Sequence, residues 1–111
     1  MGTRLERVNS FILQELGGIV ARELEMPEGV LVTFTEVSVS PDLKEAKVRV
    51  SVLPFAKKMQ VLDILQRRNR LIYKLIKEKM RTKFVPSLNF VLDDTEEKAS
   101  LVDKIIEKVS K

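Results

Sequence analysis

The sequence predicts an α+β fold in the order helix, strand, strand, helix, kink, helix, strand, with a last helix after it. Three observations predict this. Apolar residues recur at helical spacing in three stretches and alternate with polar ones in stretches between them, and Pro or Pro–Gly positions separate the two patterns. The longest helical stretch also carries two polar residues on its apolar side, so it cannot run straight.

Taken in order, Leu5, Val8, Ile12, Leu16, Ile19 and Val20 follow helical spacing over about residues 3–24, with Arg4, Glu6, Arg7, Gln14, Glu15 and Arg22 between them. Gly17 and Gly18 lower helix propensity by about 1 kcal/mol each relative to Ala, which points to close packing against another backbone or to a kink. Met26, Pro27, Glu28 and Gly29 end the helix. Residues 30–39 are rich in β-branched side chains, and their apolar phase shifts from Val30, Val32 and Phe34 to Val37 and Val39. That shift predicts a bulge or strong twist near Thr35 and Glu36. Ala46, Val48, Val50 and Val52 alternate with Lys47, Arg49 and Ser51 as a second strand with one packed face. Ser40, Pro41, Asp42 and Leu43 suit the turn of an antiparallel hairpin.

Residues 56–82 form the long helical stretch. Arg68 and Asn69 fall on its apolar side, and burying a guanidinium is costly unless it is paired, so the helix is expected to break into two near residues 68–70. Pro86 bars further helix, and Leu88, Phe90 and Leu92 alternate as a third strand. Asp94 or Thr95 can cap a last helix with Glu96 and Glu97 in its first turn and Leu101, Val102, Ile105, Ile106 and Val109 as its stripe.

Charge is unevenly distributed. Residues 67–83 hold eight basic residues against one acid, Glu78, in a chain whose net charge is +4. On a helical wheel Arg67, Arg70, Lys74, Lys77 and Arg81 share a face opposite Val61, Leu65, Ile72, Leu75 and Ile76. A basic ridge of this kind concentrates field where phosphates reach it and releases condensed counterions on contact, which makes nucleic acid the first partner to consider. A solvated helix face is the bland reading of the same pattern.

The chain has no cysteine and no histidine, which excludes disulfides, thiolate metal sites and imidazole acid–base chemistry. The N-terminus has no sustained apolar run, and no ~18 apolar residues run together, so a cytoplasmic protein without membrane contact is expected. Asp93, Asp94, Glu96 and Glu97 could hold a divalent cation, but acids at a helix start need no metal, and contiguous residues do not converge on one point. No cofactor, metal or catalytic site is expected.

The run Val37, Ser38, Val39, Ser40, Pro41, Asp42, Leu43, Lys44, Glu45, Ala46, Lys47, Val48, Arg49, Val50, Ser51, Val52 resembles the hairpin of the bacterial ribosome-binding factor A family. Arg4, Arg7 and Val8 before it, and Met80, Arg81, Val85, Pro86, Leu88 and Phe90 after it, fall in the family's order. The resemblance covers about residues 4–93. It implies a type II KH-like fold, a three-stranded sheet with helices on one side, and a monomer that binds precursor rRNA in the immature small ribosomal subunit. It further implies assistance to rRNA 5′-end maturation without catalysis, and release that can involve a ribosome-assembly GTPase. Residues 1–111 then read as a single KH-like domain, with 93–111 as a helical extension.

Two departures stand out. KH domains clamp nucleic-acid backbone with a Gly-x-x-Gly loop, which this family replaces by an Ala-x-Gly kink. Here the aligned residues are Arg68, Asn69 and Arg70, and every glycine lies at or before Gly29. The family's Arg in the following helix appears as Tyr73, which could stack on a base or belong partly to the core. The expected RNA contacts are Arg67, Arg68, Asn69, Arg70, Lys74, Lys77, Arg81 and Lys83, with Arg4, Arg7, Lys47 and Arg49 secondary. The competing readings are a general single-stranded RNA-binding KH-like module and a protein-interaction module.

Overall fold

A reciprocal cap starts the first helix, α1 (Arg4–Glu23): the Glu6 amide donates to Thr3 Oγ1 and the Thr3 amide to Glu6 Oε2, both at 3.1 Å. In the computed structural model, which describes residues 3–81 and 85–109, β1 (Leu31–Val39), β2 (Glu45–Leu53), α2 (Lys58–Arg67), α3 (Asn69–Lys79), β3 (Ser87–Leu92) and α4 (Thr95–Val109) follow. A single 3-10 turn, Phe55–Lys57, leads into α2. The fold is α+β as expected, with the strands in the order β1-β2-β3.

The β1–β2 pair is antiparallel, from Leu31 opposite Leu53 to Val39 opposite Ala46, with its register shifting between Phe34 and Glu36 where the apolar phase predicted a bulge. The connecting turn is built by side chains. Leu43 N–H donates to Ser40 O at 2.9 Å, and the Asp42 carboxylate accepts from Ser40 Oγ at 2.6 Å and from the Lys44 amide at 3.1 Å. These bonds hold the Asp42 carboxyl below its usual range, the Ser40 hydroxyl first. Leu43 takes φ +62°, a left-handed conformation that costs a residue with a Cβ about 1 kcal/mol.

β3 pairs with β2 in parallel, from Glu45 opposite Ser87 to Val50 opposite Leu92. The faces sort as alternation requires. Val37, Val39, Ala46, Val48, Val50, Val52, Leu88 and Phe90 are buried under the helices, while Ser38, Lys47 and Asn89 face outward. α1 supplies Ile12, Leu16, Ile19 and Val20 to this core, α2 supplies Val61 and Leu65, and α3 supplies Ile72 and Ile76.

The predicted break is present. Arg68, at φ −98° and ψ 9°, closes α2 and opens α3, which turns its side chain into solvent. Asn69 stays half-buried because its Nδ2 donates to the Leu88 carbonyl at 2.9 Å, tying the start of α3 to β3. Two expectations are corrected and one is refined. α3 ends at Lys79 and Met80 is already extended (φ −85°, ψ 139°), so the helix stops short of the predicted end at 82. Asp94 stands at the N-cap position, its carbonyl accepting from the Lys98 amide at 2.9 Å, and the carboxylate that bonds the first turn of α4 is that of Asp93. It accepts from the Thr95 amide at 3.1 Å, from Thr95 Oγ1 at 2.6 Å and from Thr35 Oγ1 at 2.7 Å. The Thr35 bond first, then those from Thr95, lower its pKa to about 2.

The other correction concerns the glycines. α1 runs unbroken past Gly17 and Gly18, and neither abuts another backbone: a Cβ at Gly17 meets open space, and one at Gly18 would meet only the end of the Arg22 side chain. Gly17→Ala is therefore expected to stabilise the protein by about 1 kcal/mol through helix propensity alone. Thermal and urea unfolding check this, and an unchanged or lowered midpoint would contradict it. Gly29 differs, since its φ of +76° in the turn after Pro27 suits glycine. α4 is held at its start by Lys58 Nζ to Glu97 Oε2 at 2.5 Å, and Leu101, Val102, Ile105 and Ile106 on it are 53 to 61% exposed. Among the described residues no helix is long and apolar enough to cross a membrane.

Candidate nucleic-acid interface

α3 is anchored by Ile72 and Ile76, both at 0% exposure, and the helical period then aims Arg70, Lys74 and Lys77 away from the core. All three are exposed, and none forms an ion pair among the described residues. Arg67 stands across the break at the end of α2. Its guanidinium meets Asp63 Oδ2 at 2.6 Å, with both side chains more than half exposed. Such a surface pair contributes about 0.2–1 kcal/mol, little enough for a phosphate to displace it. Arg67 and Arg70 line a shallow groove with Gln66, Asn69, Tyr73 and Ser87.

Tyr73 lies at the edge of this groove. It is half-buried, and its hydroxyl donates to the Val85 carbonyl at 3.2 Å, which fixes the ring against the segment entering β3. Arg68 lines a second depression, with Glu23, Leu24, Glu25, Ile64 and again Arg67, and so has acids for neighbours. Arg81 is not on the ridge, because α3 has ended before it. It borders a depression between α1 and the end of α3 together with Arg7, Val8, Phe11, Lys79 and Met80. Lys83 lies outside the described residues.

Arg4 is exposed in the first turn of α1. Lys47 and Arg49 are on the open face of the sheet, turned away from the helices, where Arg49 Nε lies 3.7 Å from Glu36 Oε2. The surrounding depression also includes Ser38, Glu45 and Asn89, so its charge is mixed. The cationic and polar candidates are thus divided among the α3 face with its groove, the α1–α3 end, the Arg68 depression and the sheet face, with Lys83 undescribed. Sequence reasoning passed over Lys79 and Phe11. Lys79 is off the ridge on the wheel, and Phe11 reads as one more apolar residue of α1; only the folded chain puts them beside Arg7 and Arg81.

Three of the four clustered acids have structural partners. Asp93 binds Thr35 and Thr95, Asp94 Oδ2 lies 3.4 Å from Lys98 Nζ, and Glu97 meets Lys58. Among the described residues no group of acids, histidines or cysteines is placed to hold a metal ion.

The family model described as ribosome-binding factor A matches residues 4–106. A protein of that name from Chloroherpeton thalassium is 39% identical over 114 residues, covering 99% of this chain and 90% of its own length. One from Akkermansia muciniphila is 34% identical over 111 residues, covering all of this chain and 88% of its own. The crystal structure of ribosome-binding factor A from Thermus thermophilus superposes with TM-score 0.61 at 23% identity, over 79% of this chain and 89% of that one. Coordinates of a homology model of the Thermus thermophilus factor, as fitted into the cryo-EM map of a complex of the 30S subunit with that factor, give TM-score 0.60 at 22% identity, with the same coverage. At these identities the structural likeness is one of fold.

Proposed function

This chain belongs to the ribosome-binding factor A family, and from that premise we propose that it is an assembly factor for the small ribosomal subunit. It binds the immature 30S particle and its precursor rRNA, assists maturation of the rRNA 5′ end, and catalyses nothing itself. It acts in the cytoplasm as a monomer without cofactor, residues 1–111 forming one KH-like domain with 93–111 as a helical extension. A ribosome-assembly GTPase takes part in its release. The relative from Thermus thermophilus fitted into a 30S map supports the choice of partner.

The observation that carries the reading is the outer face of α3, where Arg70, Lys74 and Lys77 stand exposed with no acid paired to them among the described residues. With no glycine after Gly29, the backbone cannot approach RNA closely through a glycine loop. Side-chain cations take over the contact with phosphates. Arg67, Arg68 and Asn69 extend the contact around the break, Arg81 and Lys83 extend it beyond α3, and Arg4, Arg7, Lys47 and Arg49 contribute secondarily. The non-catalytic reading rests on the absence of histidine and cysteine and on the acids' engagement in structural pairs.

Sucrose-gradient sedimentation of the tagged protein with native ribosomes tests the proposal. Co-migration with free small subunits and not with translating ribosomes is expected. Migration with no ribosomal fraction, alongside binding to arbitrary single-stranded RNA, would replace it with a general RNA-binding module.

A further inference from the structure

We infer that Phe11 is a stacking platform for one unpaired RNA base, in a nucleotide subsite completed by Val8, Met80 and the cations Arg7, Lys79 and Arg81. The inference rests on the reading that the protein binds RNA, and it adds a second point of contact away from the helix break.

The argument starts from what α1 does with its apolar residues. Ile12 is buried in the core and Val8 packs against it, whereas Phe11 is half-buried and belongs neither to the core cluster nor to the residues packed on that cluster. Folding therefore leaves part of an aromatic ring in water that the core does not use. The ring borders two adjoining depressions, one shared with Val8, Lys79, Met80 and Arg81, the other with Glu6, Ser10 and Gln14, and Arg7 borders both.

Charge selects the occupant. Arg7, Lys79 and Arg81 rim the first depression, all exposed, and none has an ion-pair partner among the described residues. Glu6 lines only the second depression and accepts the Thr3 amide at the helix cap. An apolar floor with a three-cation rim suits a ligand with an aromatic face and an attached anion. A nucleotide of a single strand has both, whereas duplex RNA keeps its bases stacked and paired. From Asn69 to Lys79, α3 spans about 15 Å at its rise per residue, and the depression lies at its Lys79 end.

The test is the full chain binding a fluorescein-labelled, unstructured single-stranded RNA across a salt series, with a duplex of the same sequence beside it. Phe11→Leu keeps an apolar side chain at a position outside the core. It is expected to weaken single-strand binding about tenfold at every salt concentration, leaving the salt slope and the duplex affinity unchanged. Phe11→Tyr should retain wild-type affinity. The Arg7→Ala, Arg81→Ala double variant should instead lower the slope by roughly 0.7 per residue. Wild-type affinity in Phe11→Leu together with lost binding in an Arg70, Lys74, Lys77 to Ala variant overturns the subsite and leaves the α3 face standing. The opposite pattern keeps the subsite and removes the α3 face. Unchanged RNA affinity in Phe11→Leu with weakened association to purified small subunits would place a ribosomal protein in the depression and also overturn the assignment.

Discussion

Replacing Arg70, Lys74 and Lys77 together by Ala is expected to give a folded protein that no longer co-sediments with free small subunits. The three side chains share the outer face of α3 and are exposed, and none is paired among the described residues, so the substitution removes positive charge without breaking a described contact. If each neutralises about one phosphate, the log affinity against log salt slope shrinks in magnitude by about 2 units or slightly more. Each surface change alters stability by only about ±0.5 kcal/mol, and Ala is at least as good a helix former as Lys or Arg. Circular dichroism and urea unfolding verify the fold, and filter binding over a salt series measures the slope. A folded triple variant with unchanged affinity and slope would reduce the ridge to a solvated face. It would move the contact to Lys47 and Arg49 on the sheet or to Arg4 and Arg7 on α1.

The opposite face of the same helix gives the second large effect. Ile72 is at 0% exposure in the core cluster, on the helix whose first residue, Asn69, ties α3 to β3. Ile72→Ala removes buried methyl and methylene groups and leaves a cavity, at an expected cost of about 2–5 kcal/mol. Domains of this class have about 5–15 kcal/mol in total, so the urea midpoint falls sharply with little change in slope. RNA binding declines with the folded fraction, without the reduced salt slope of the triple variant. A midpoint shift no larger than that of the surface variant would show that α3 is not anchored through this residue.

How much of this the sequence revealed depended on whether the signal was local. The fault at Arg68 and Asn69 was legible because two polar residues on an apolar stripe conflict with burial; that Asn69 resolves its part by bonding Leu88 O was not, since the partner is 19 positions away. The bulge at Phe34 to Glu36 and the alternation of β2 and β3 were legible from period two, but alternation assigns faces, not direction, and so left the parallel β2–β3 pairing unspecified. The end of α3 was overrun because the nearest helix breaker, Pro86, lies well beyond Lys79. The family-like phrase around Ser40, Asp42 and Leu43 turned out to mark hairpin chemistry, with the Asp42 carboxylate closing a turn at a left-handed Leu43. Its turn residues carry the fold, while Lys47 and Arg49 in the same run are the secondary contacts on the sheet. The α4 stripe was plain in the sequence, yet periodicity gives an apolar face without saying that anything covers it, and here Leu101, Val102 and Ile105 are exposed.

For the site, the excess of charge in 67–83 was visible, but its division was not. A helical wheel placed Arg81 on the ridge by assuming a helix that has already ended, and the grouping of Arg7, Phe11, Lys79 and Arg81 arises from chain folding across α1 and α3. Linear charge density shows that phosphates can be met. It does not show at how many places.

The parallel pairing of β2 with β3 also sets an order of events. β1 and β2 are joined by a short turn and meet antiparallel, so their ladder forms from neighbours in the chain, whereas β3 reaches β2 only after α2 and α3 have been laid down between them. Closing that longer loop costs more chain entropy before any ladder bond forms, which predicts that the third strand joins late in folding. Because Asn69 bonds to β3 and Asp93 extends from it to Thr35 and Thr95, fraying of that one strand would release the helix break and the base of α4 together. The basic helix and the C-terminal helix, which flank β3 in the chain, are thereby joined in one cooperative unit.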